Sequence, residues 1–189
     1  METREKQLLD LLFERSYEER DVILTSGKRS KYYIDGKQTT LHPKGATLVG
    51  ELFYERIRAS GVRVDAVGGP TLGADPIVTA ITIASYLRRD PIPGFIIRKE
   101  PKKHGTMQWI EGVKSLFPGA SVVLVEDVMT TGGSLLKAVR VVRELGYRVS
   151  LAGVLVDRLE GGREALEAES VPFFSLFTIE DLKNRGMDA

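Results

Sequence analysis

The chain has 189 residues, of which 42% are hydrophobic and 28% charged, and its formal net charge is +1. These values are typical of a globular protein, and the near-zero net charge argues against a nucleic-acid partner. The absence of cysteine excludes disulfides, thiolate metal sites and a cysteine nucleophile, and it fits the cytoplasmic location that we expect. No apolar run approaches the roughly 20 residues that span a bilayer, so we expect no membrane contact. The length predicts a single domain over residues 1–189.

The predicted elements begin with an amphipathic helix over residues 4–15 and a hairpin with strands at 22–24 and 31–35. A helix at 44–59 follows, and then strands and helices alternate. The remaining strands are expected at 62–67, 94–98, 122–125, 148–156 and 173–176, and the helices at 76–87, 135–146, 163–169 and from 179 onward. This alternation predicts an α/β fold with a mostly parallel sheet that helices cover on both faces.

Three polar loops follow predicted strands, at residues 68–75, 98–112 and 126–134. In a parallel sheet the carboxyl ends of the strands meet at one edge, where ligands bind. We therefore expect the three loops to form one site.

The most informative loop follows the apolar run Val122 to Val125. Glu126 and Asp127 come directly after it, and a small, hydroxylated turn then leads into a helix. Backbone N–H groups and the positive end of a helix stabilise a phosphate there, while carboxylates accept hydrogen bonds from sugar hydroxyls. The alternative is a pair of solvated acids or a helix cap. The spacing matches neither the P-loop nor the G-x-G-x-x-G motif.

The segment VVLVEDVMTTGGS resembles the phosphoribosyl-diphosphate (PRPP) binding motif of type I phosphoribosyltransferases. The resemblance implies that fold, with a small N-terminal hood at about residues 1–40. It implies that Glu126 and Asp127 hold the ribose hydroxyls, Asp127 in a catalytic role, and that the following turn holds the 5′-phosphate. The PRPP-binding residues in this motif are Glu126, Asp127, Val128, Met129, Thr130, Thr131, Gly132, Gly133 and Ser134.

A second motif contains the cations of the loop after residue 97. As a solvated basic loop it would be unremarkable in itself, but the pattern R-K-x-x-K-x-H-G resembles the catalytic loop of orotate phosphoribosyltransferases. The resemblance implies that Arg98, Lys99, Lys102 and His104 bind PRPP, with Lys102 and His104 catalytic at the departing diphosphate. In that family the loop closes over the neighbouring subunit's site, which implies a homodimer.

Two further motifs resemble the base-binding parts of the same family. The S-G-K turn and the aromatic pair of the hairpin match its hood, and Asp157-Arg158 matches its D-R strand end. Taken alone, such a hairpin would be core or interface and the arginine a surface residue. The orotate-binding residues implied by the resemblance are Ser26, Gly27, Lys28, Tyr32, Tyr33, Thr130 and Arg158.

The implied reaction is Mg²⁺-dependent transfer of the phosphoribosyl group from PRPP to orotate in pyrimidine (UMP) biosynthesis. Mg²⁺ would be held by PRPP and water rather than by protein ligands. Two positions depart from the family pattern: Thr25 stands where many relatives carry lysine, and Leu72-Gly73 stands where some relatives carry a Tyr-Lys pair. The alternatives are a phosphoribosyltransferase for another base, a PRPP-binding regulator without catalysis, or a scaffold without a small-molecule site.

Overall fold

The computed structural model describes residues 3–23, 29–101 and 109–187. The helices are α1 (Arg4–Ser16), α2 (Lys37–Thr40), α3 (Pro43–Ala59), α4 (Ala74–Leu87), α5 (Gly133–Glu144), α6 (Gly162–Ala168) and α7 (Ile179–Met187). The strands are β1 (Tyr17–Ile23), β2 (Arg29–Ile34), β3 (Ala66–Pro70), β4 (Gly94–Ile97), β5 (Ile110–Glu111), β6 (Ser121–Met129), β7 (Arg148–Asp157) and β8 (Phe173–Thr178). None of the described helices is long and apolar enough to cross a membrane.

The larger sheet has six strands in the order β5-β4-β3-β6-β7-β8. Neighbouring strands from β4 to β8 pair in parallel, and only the short β5 is antiparallel to its neighbour. β1 and β2 form a separate antiparallel hairpin. These findings confirm the predicted mostly parallel α/β fold with a small N-terminal hairpin.

Strand β6 lies between two hydrophobic clusters. Val123 and Val125 belong to the cluster formed with α1, α3 and α4, whereas Val122 and Leu124 belong to the cluster formed with α5. All four side chains are fully buried. Because successive side chains of a strand point to opposite faces, helices on both faces require an uninterrupted apolar run. This explains why the run was recognisable from the sequence.

Two predicted strand boundaries are wrong. β3 begins at Ala66 rather than residue 62, and it continues to Pro70 through glycines that were expected to form a loop. A Cβ on Gly68 would lie 2.4 Å from the ring of Phe95, so this glycine makes room for a core side chain. β6 does not end at Val125 but pairs with β7 as far as Met129, so both acids lie within the strand.

Two other segments also differ from the expectation. β1 begins at Tyr17, directly after α1, and pairs with the end of β2 at Ile34. The segment 99–112, which was expected to be irregular, includes β5 on the edge of the sheet beside β4. Pairing with neighbouring strands stabilises both segments, and single-sequence patterns carry little information about such pairing.

Gly68→Ala is expected to lower the free energy of unfolding by about 1–3 kcal/mol, because its methyl group would overpack the core against Phe95. Urea denaturation measures the change. The matched test is a double-mutant cycle with Phe95→Leu. This substitution should lower the free energy of unfolding less in the Gly68→Ala background than in the wild type. Strictly additive losses would contradict the proposed contact.

Candidate active site

The carboxyl ends of β3, β4 and β6 lie at one edge of the sheet, as expected for parallel strands. A cavity of about 280 Å³ lies between them. Its lining includes Thr71 after β3, Arg98 and Lys99 after β4, and Ser134 and Lys137 from α5. The three loops that the sequence singled out therefore meet, as predicted.

The turn after β6 has the geometry of an anion site. Gly132 has a φ of 78°, which favours glycine, and it forms the cap of α5. The first hydrogen bond of the helix runs from the N–H of Leu136 to the carbonyl of Gly132. The preceding N–H groups have no partner within the helix. Thr131 and Ser134 are exposed beside them, so hydroxyl and amide donors can face a ligand phosphate.

The carboxylate of Asp127 is confined between two backbone segments. A Cβ on Gly36 would lie 2.9 Å from the Asp127 Cβ, and one on Gly73 would lie 2.2 Å from its Oδ1. Oδ1 accepts a hydrogen bond from the N–H of Val128 at 2.9 Å, and Oδ2 lies 3.6 Å from the ammonium nitrogen of Lys37. Burial raises the pKa of Asp127, although the charge of Lys37 lowers it in part. The carboxylate is thus held rigidly at the strand end.

Glu126 lies in different surroundings. Its pKa is raised from 4.5 to about 7. Burial is the largest cause and the charge of Asp127 adds to it, whereas a hydrogen bond with the Ser134 side chain lowers the pKa in part. Adjacent strand residues point to opposite faces, so Glu126 lies toward α5 while Asp127 lies toward Lys37 and Gly73. At neutral pH Glu126 is therefore able both to accept and to donate hydrogen bonds.

Val128 and Met129 contribute little side-chain surface to this site. Val128 packs against one hydrophobic cluster, and Met129 is buried in the other with its sulfur against Gly162. The Met129 carbonyl accepts a hydrogen bond from the N–H of Arg158 at 2.9 Å.

The base of the basic loop is held by an ion pair and by α5. The Arg98 guanidinium pairs with Glu111 at 3.0 Å, and this ion pair joins the two ends of the loop. Lys137 donates to the Lys99 carbonyl at 3.2 Å, and its ammonium nitrogen lies 5.4 Å from the centroid of the Trp109 ring. Lys102 and His104 lie outside the described residues, and their catalytic roles stay predictions.

Arg158 is the most constrained of the predicted base contacts. Its side chain is buried, its Nε donates to Glu160 at 2.9 Å and one Nη donates to the Ser30 hydroxyl at 3.0 Å. The guanidinium carbon lies 4.6 Å from the centroid of the Tyr32 ring. The guanidinium is thus held by an ion pair, a hydrogen bond and a cation–π contact. Together they fix the plane of the guanidinium, which is what recognition of a planar anion requires.

The two hairpin tyrosines have different neighbours. The Tyr32 ring contacts Arg158, whereas the guanidinium of Arg20 lies 4.6 Å from the centroid of the Tyr33 ring. Thr130 is half-buried and follows Met129 at the strand end. The predicted contacts Ser26, Gly27 and Lys28 lie outside the described residues. The structure therefore places Tyr32 against Arg158 but gives Tyr33 separate surroundings.

The described residues contain no group of three or more His, Asp or Glu side chains arranged to hold a metal ion. Mg²⁺ keeps several water ligands and binds substrate phosphate oxygens, so it does not require a cluster of protein carboxylates. The residues present are compatible with a metal ion that arrives with a phosphorylated substrate.

Sequence reasoning missed three polar side chains of this region. Lys37 lies beside Asp127, Glu160 orients Arg158, and Lys137 connects α5 to the basic loop. Each is an ordinary charged residue in its local sequence. The motif D-R-x-E was the only available signal, because Glu160 follows Arg158 by two positions.

The phosphoribosyl transferase domain model matches residues 36–186. The chain is 48% identical to the orotate phosphoribosyltransferase of a Nostoc species, covering 97% of this chain and 87% of the relative. It is 49% identical to that of Aquifex aeolicus, with coverages of 84% and 85%. The crystal structure of Mycobacterium tuberculosis orotate phosphoribosyltransferase in complex with PRPP superposes with a TM-score of 0.78 at 35% identity, covering 96% of this chain and 99% of the other.

The fold and these similarities define a phosphoribosyltransferase. Within that class, the chain belongs to the orotate phosphoribosyltransferase family.

The raised pKa of Glu126 predicts a pH-dependent stability. The folded protein binds this proton more tightly than the unfolded chain, so the free energy of unfolding falls as pH rises from 4.5 to about 7. Across this range the free energy of unfolding of the wild type should fall by about 3 kcal/mol relative to that of Glu126→Gln. Urea denaturation at several pH values measures the difference, and Glu144→Gln on the exposed end of α5 controls for loss of a carboxylate. A constant difference between wild type and Glu126→Gln would refute the shift.

Proposed function

We propose that the protein transfers the 5-phosphoribosyl group from PRPP to orotate, giving orotidine 5′-monophosphate and diphosphate. It does so in the cytoplasm, as a step of de novo pyrimidine (UMP) biosynthesis. One observation carries the proposal most directly. The N–H of Arg158, the base-side arginine, donates to the carbonyl of Met129 at the end of the strand that bears both acids. The base site and the ribose-phosphate site thus share an edge.

In the proposed reaction the C1–O bond to diphosphate breaks and its electron pair leaves with the diphosphate. A bond then forms between C1 and N1 of orotate, which reacts as the N1 anion after losing its proton to solvent and supplies the electron pair. Positive charge develops on the ribosyl group and negative charge on the leaving diphosphate. Catalysis of this kind depends on positioning and electrostatics rather than on proton transfer.

The chain's own residues divide this work. Asp127 and Glu126 hold ribosyl hydroxyls, the turn 130–134 holds the 5′-phosphate, and Arg158 orients the orotate carboxylate. Lys102 and His104 are proposed to stabilise the departing diphosphate. Bound Mg²⁺ supplies positive charge that neutralises the diphosphate oxygens.

The reaction is tested by incubating the protein with PRPP, Mg²⁺ and, separately, orotate, uracil, adenine, guanine and hypoxanthine, and following consumption of each base. Consumption of orotate alone supports the proposal. Consumption of another base instead would assign the enzyme to that base, and no turnover would favour a PRPP-binding regulator.

Arg158→Lys keeps the positive charge but removes the planar fork of donors. We expect the KM for orotate to rise at least about tenfold, because an ammonium group cannot reproduce the fixed direction of the guanidinium donors, while the KM for PRPP changes less than about twofold. Steady-state kinetics with each substrate varied in turn measures both constants. Arg148→Lys, at the exposed start of β7, is the matched control. Equal rises in both constants would contradict a base-specific role.

We also propose that the protein is a homodimer whose sites lie near the interface. A groove of about 590 Å³ runs along α4 and the loop before it, and its lining includes Leu41, Leu72 and Ile83. These three side chains are 70%, 63% and 55% exposed. Tyr86 and Leu87 continue the exposed apolar face along α4. A second copy is the occupant that the family resemblance favours, and Leu72 precedes the Gly73 that packs on Asp127.

Ile83→Glu is expected to shift the protein from twice the chain mass of 20.9 kDa to the monomer mass, because burial of a charge in an apolar interface is unfavourable. Sedimentation velocity measures the mass. Leu145→Glu, which also alters an exposed leucine but at the end of α5, should leave the dimer intact. A monomeric wild type, or dissociation by both substitutions, would contradict this interface.

A further inference from the structure

Lys37 lies where the N-terminal hairpin segment meets the end of β6. It is the first residue of α2, and its ammonium nitrogen lies 2.6 Å from Asp35 Oδ1 and 3.6 Å from Asp127 Oδ2. The Asp35 carboxylate also accepts hydrogen bonds from the N–H of Lys37 and from the Gln38 side chain. Asp35 therefore fixes both the backbone and the ammonium group of Lys37.

The two oxygens of Asp127 are used differently. Oδ1 already accepts the N–H of Val128, whereas Oδ2 faces Lys37 at a distance too long for a hydrogen bond. An ammonium at 3.6 Å still favours the ionised carboxylate through its charge. Oδ2 thus has a neighbouring positive charge while its lone pairs remain able to accept a ligand hydroxyl.

Close packing of two backbone segments restricts the position of the Asp127 carboxylate. Gly36 lies immediately before Lys37, and a side chain at Gly36 or at Gly73 would collide with Asp127. The carboxylate cannot move far toward either segment without a backbone shift. Lys37 is consequently held at one end by Asp35 and at the other faces a carboxylate with a fixed position.

Several charged or titratable groups surround this contact. Asp35 precedes α2, Glu126 neighbours Asp127 on β6, Asp75 lines the same groove as Lys37 from α4, and Tyr33 approaches from β2. Among the ion pairs of the described residues, Lys37 is the cation that contacts Asp127. Burial lowers the pKa of Lys37, but the hydrogen bond to Asp35 and the charge of Asp127 raise it above its ordinary value, so the lysine stays charged.

We propose that Lys37 is a positioning residue for the ribosyl group: held by Asp35, it fixes the direction of the Asp127 carboxylate so that Oδ2 accepts a ribosyl hydroxyl. The inference rests on the proposed PRPP site and adds a residue that lies outside its sequence motifs. Because α2 follows the hairpin directly, it also connects the hood to the carboxylate that holds the sugar.

Lys37→Met removes the charge and keeps much of the apolar stem. We expect the KM for PRPP to rise at least about tenfold, and the acidic limb of kcat/KM for PRPP to move to higher pH, because Asp127 loses the charge that lowers its pKa. Lys37→Arg keeps the charge, so its KM for PRPP and its acidic limb should lie close to those of the wild type. Lys44→Met, an exposed lysine of α3, is the matched control. An unchanged acidic limb with only a lower melting temperature would reduce Lys37 to a structural contact and overturn the proposal.

Direct binding separates this inference from the proposed reaction. Isothermal titration calorimetry with PRPP and with ribose 5-phosphate tests the ribosyl site even if no base is turned over. Both ligands carry the same ribosyl 2- and 3-hydroxyls, so Lys37→Met should weaken both by a similar factor. Weakening of PRPP alone would mean that Lys37 contacts the diphosphate, and it would overturn a role through Asp127.

A double-mutant cycle gives the final criterion. If Lys37 acts through Asp127, then Asp127→Asn should weaken ribose 5-phosphate binding less in the Lys37→Met background than in the wild type. Additive losses would show that the two residues act independently, contrary to the proposal.

Discussion

Burial of the central strands on both faces is the constraint on which the site depends. In β6 the four valine and leucine side chains from Val122 to Val125 are fully buried, so no polar group could be tolerated there without a partner. Polar chemistry is therefore displaced to the carboxyl end of the strand. Glu126 and Asp127 are the first side chains beyond the apolar run, and burial beside that run raises the pKa of both.

This edge is completed by chain segments that are distant in sequence. Arg158 reaches back to Ser30 of the hairpin, 128 positions away, and Lys37 joins the end of the hairpin to Asp127. Each is a single polar contact, and its net contribution to stability is small compared with that of the hydrophobic clusters. Their larger effect is on geometry, because each fixes the position of a charged side chain at the carboxyl end of the sheet.

Patterns that act within a few residues were predictable. The run Val122 to Val125, the acids and the turn 130–134 identified a strand, its end and a helix start, and all three occur in that order. The end of β6 was placed too early because pairing with β7 extends it, and the end of β3 was placed too early because Gly68, expected in a loop, instead makes room for Phe95. Such features depend on neighbours that local sequence does not specify.

The polar contacts also divide into those that local sequence predicts and those that it does not. Arg158 was identified because the D-R pair stands at a strand end, but its partners Ser30 and Glu160 could be recognised only in three dimensions. Charge also orients a ligand at this edge. A phosphate beside Glu126 and Asp127 would be repelled, whereas hydroxyls are favoured there, so phosphates must bind to the N–H groups of the turn or to the basic loop. If the turn and the basic loop each bind a phosphate, as proposed, the two acids between them favour a sugar with phosphate at both ends over a ligand with a single phosphate.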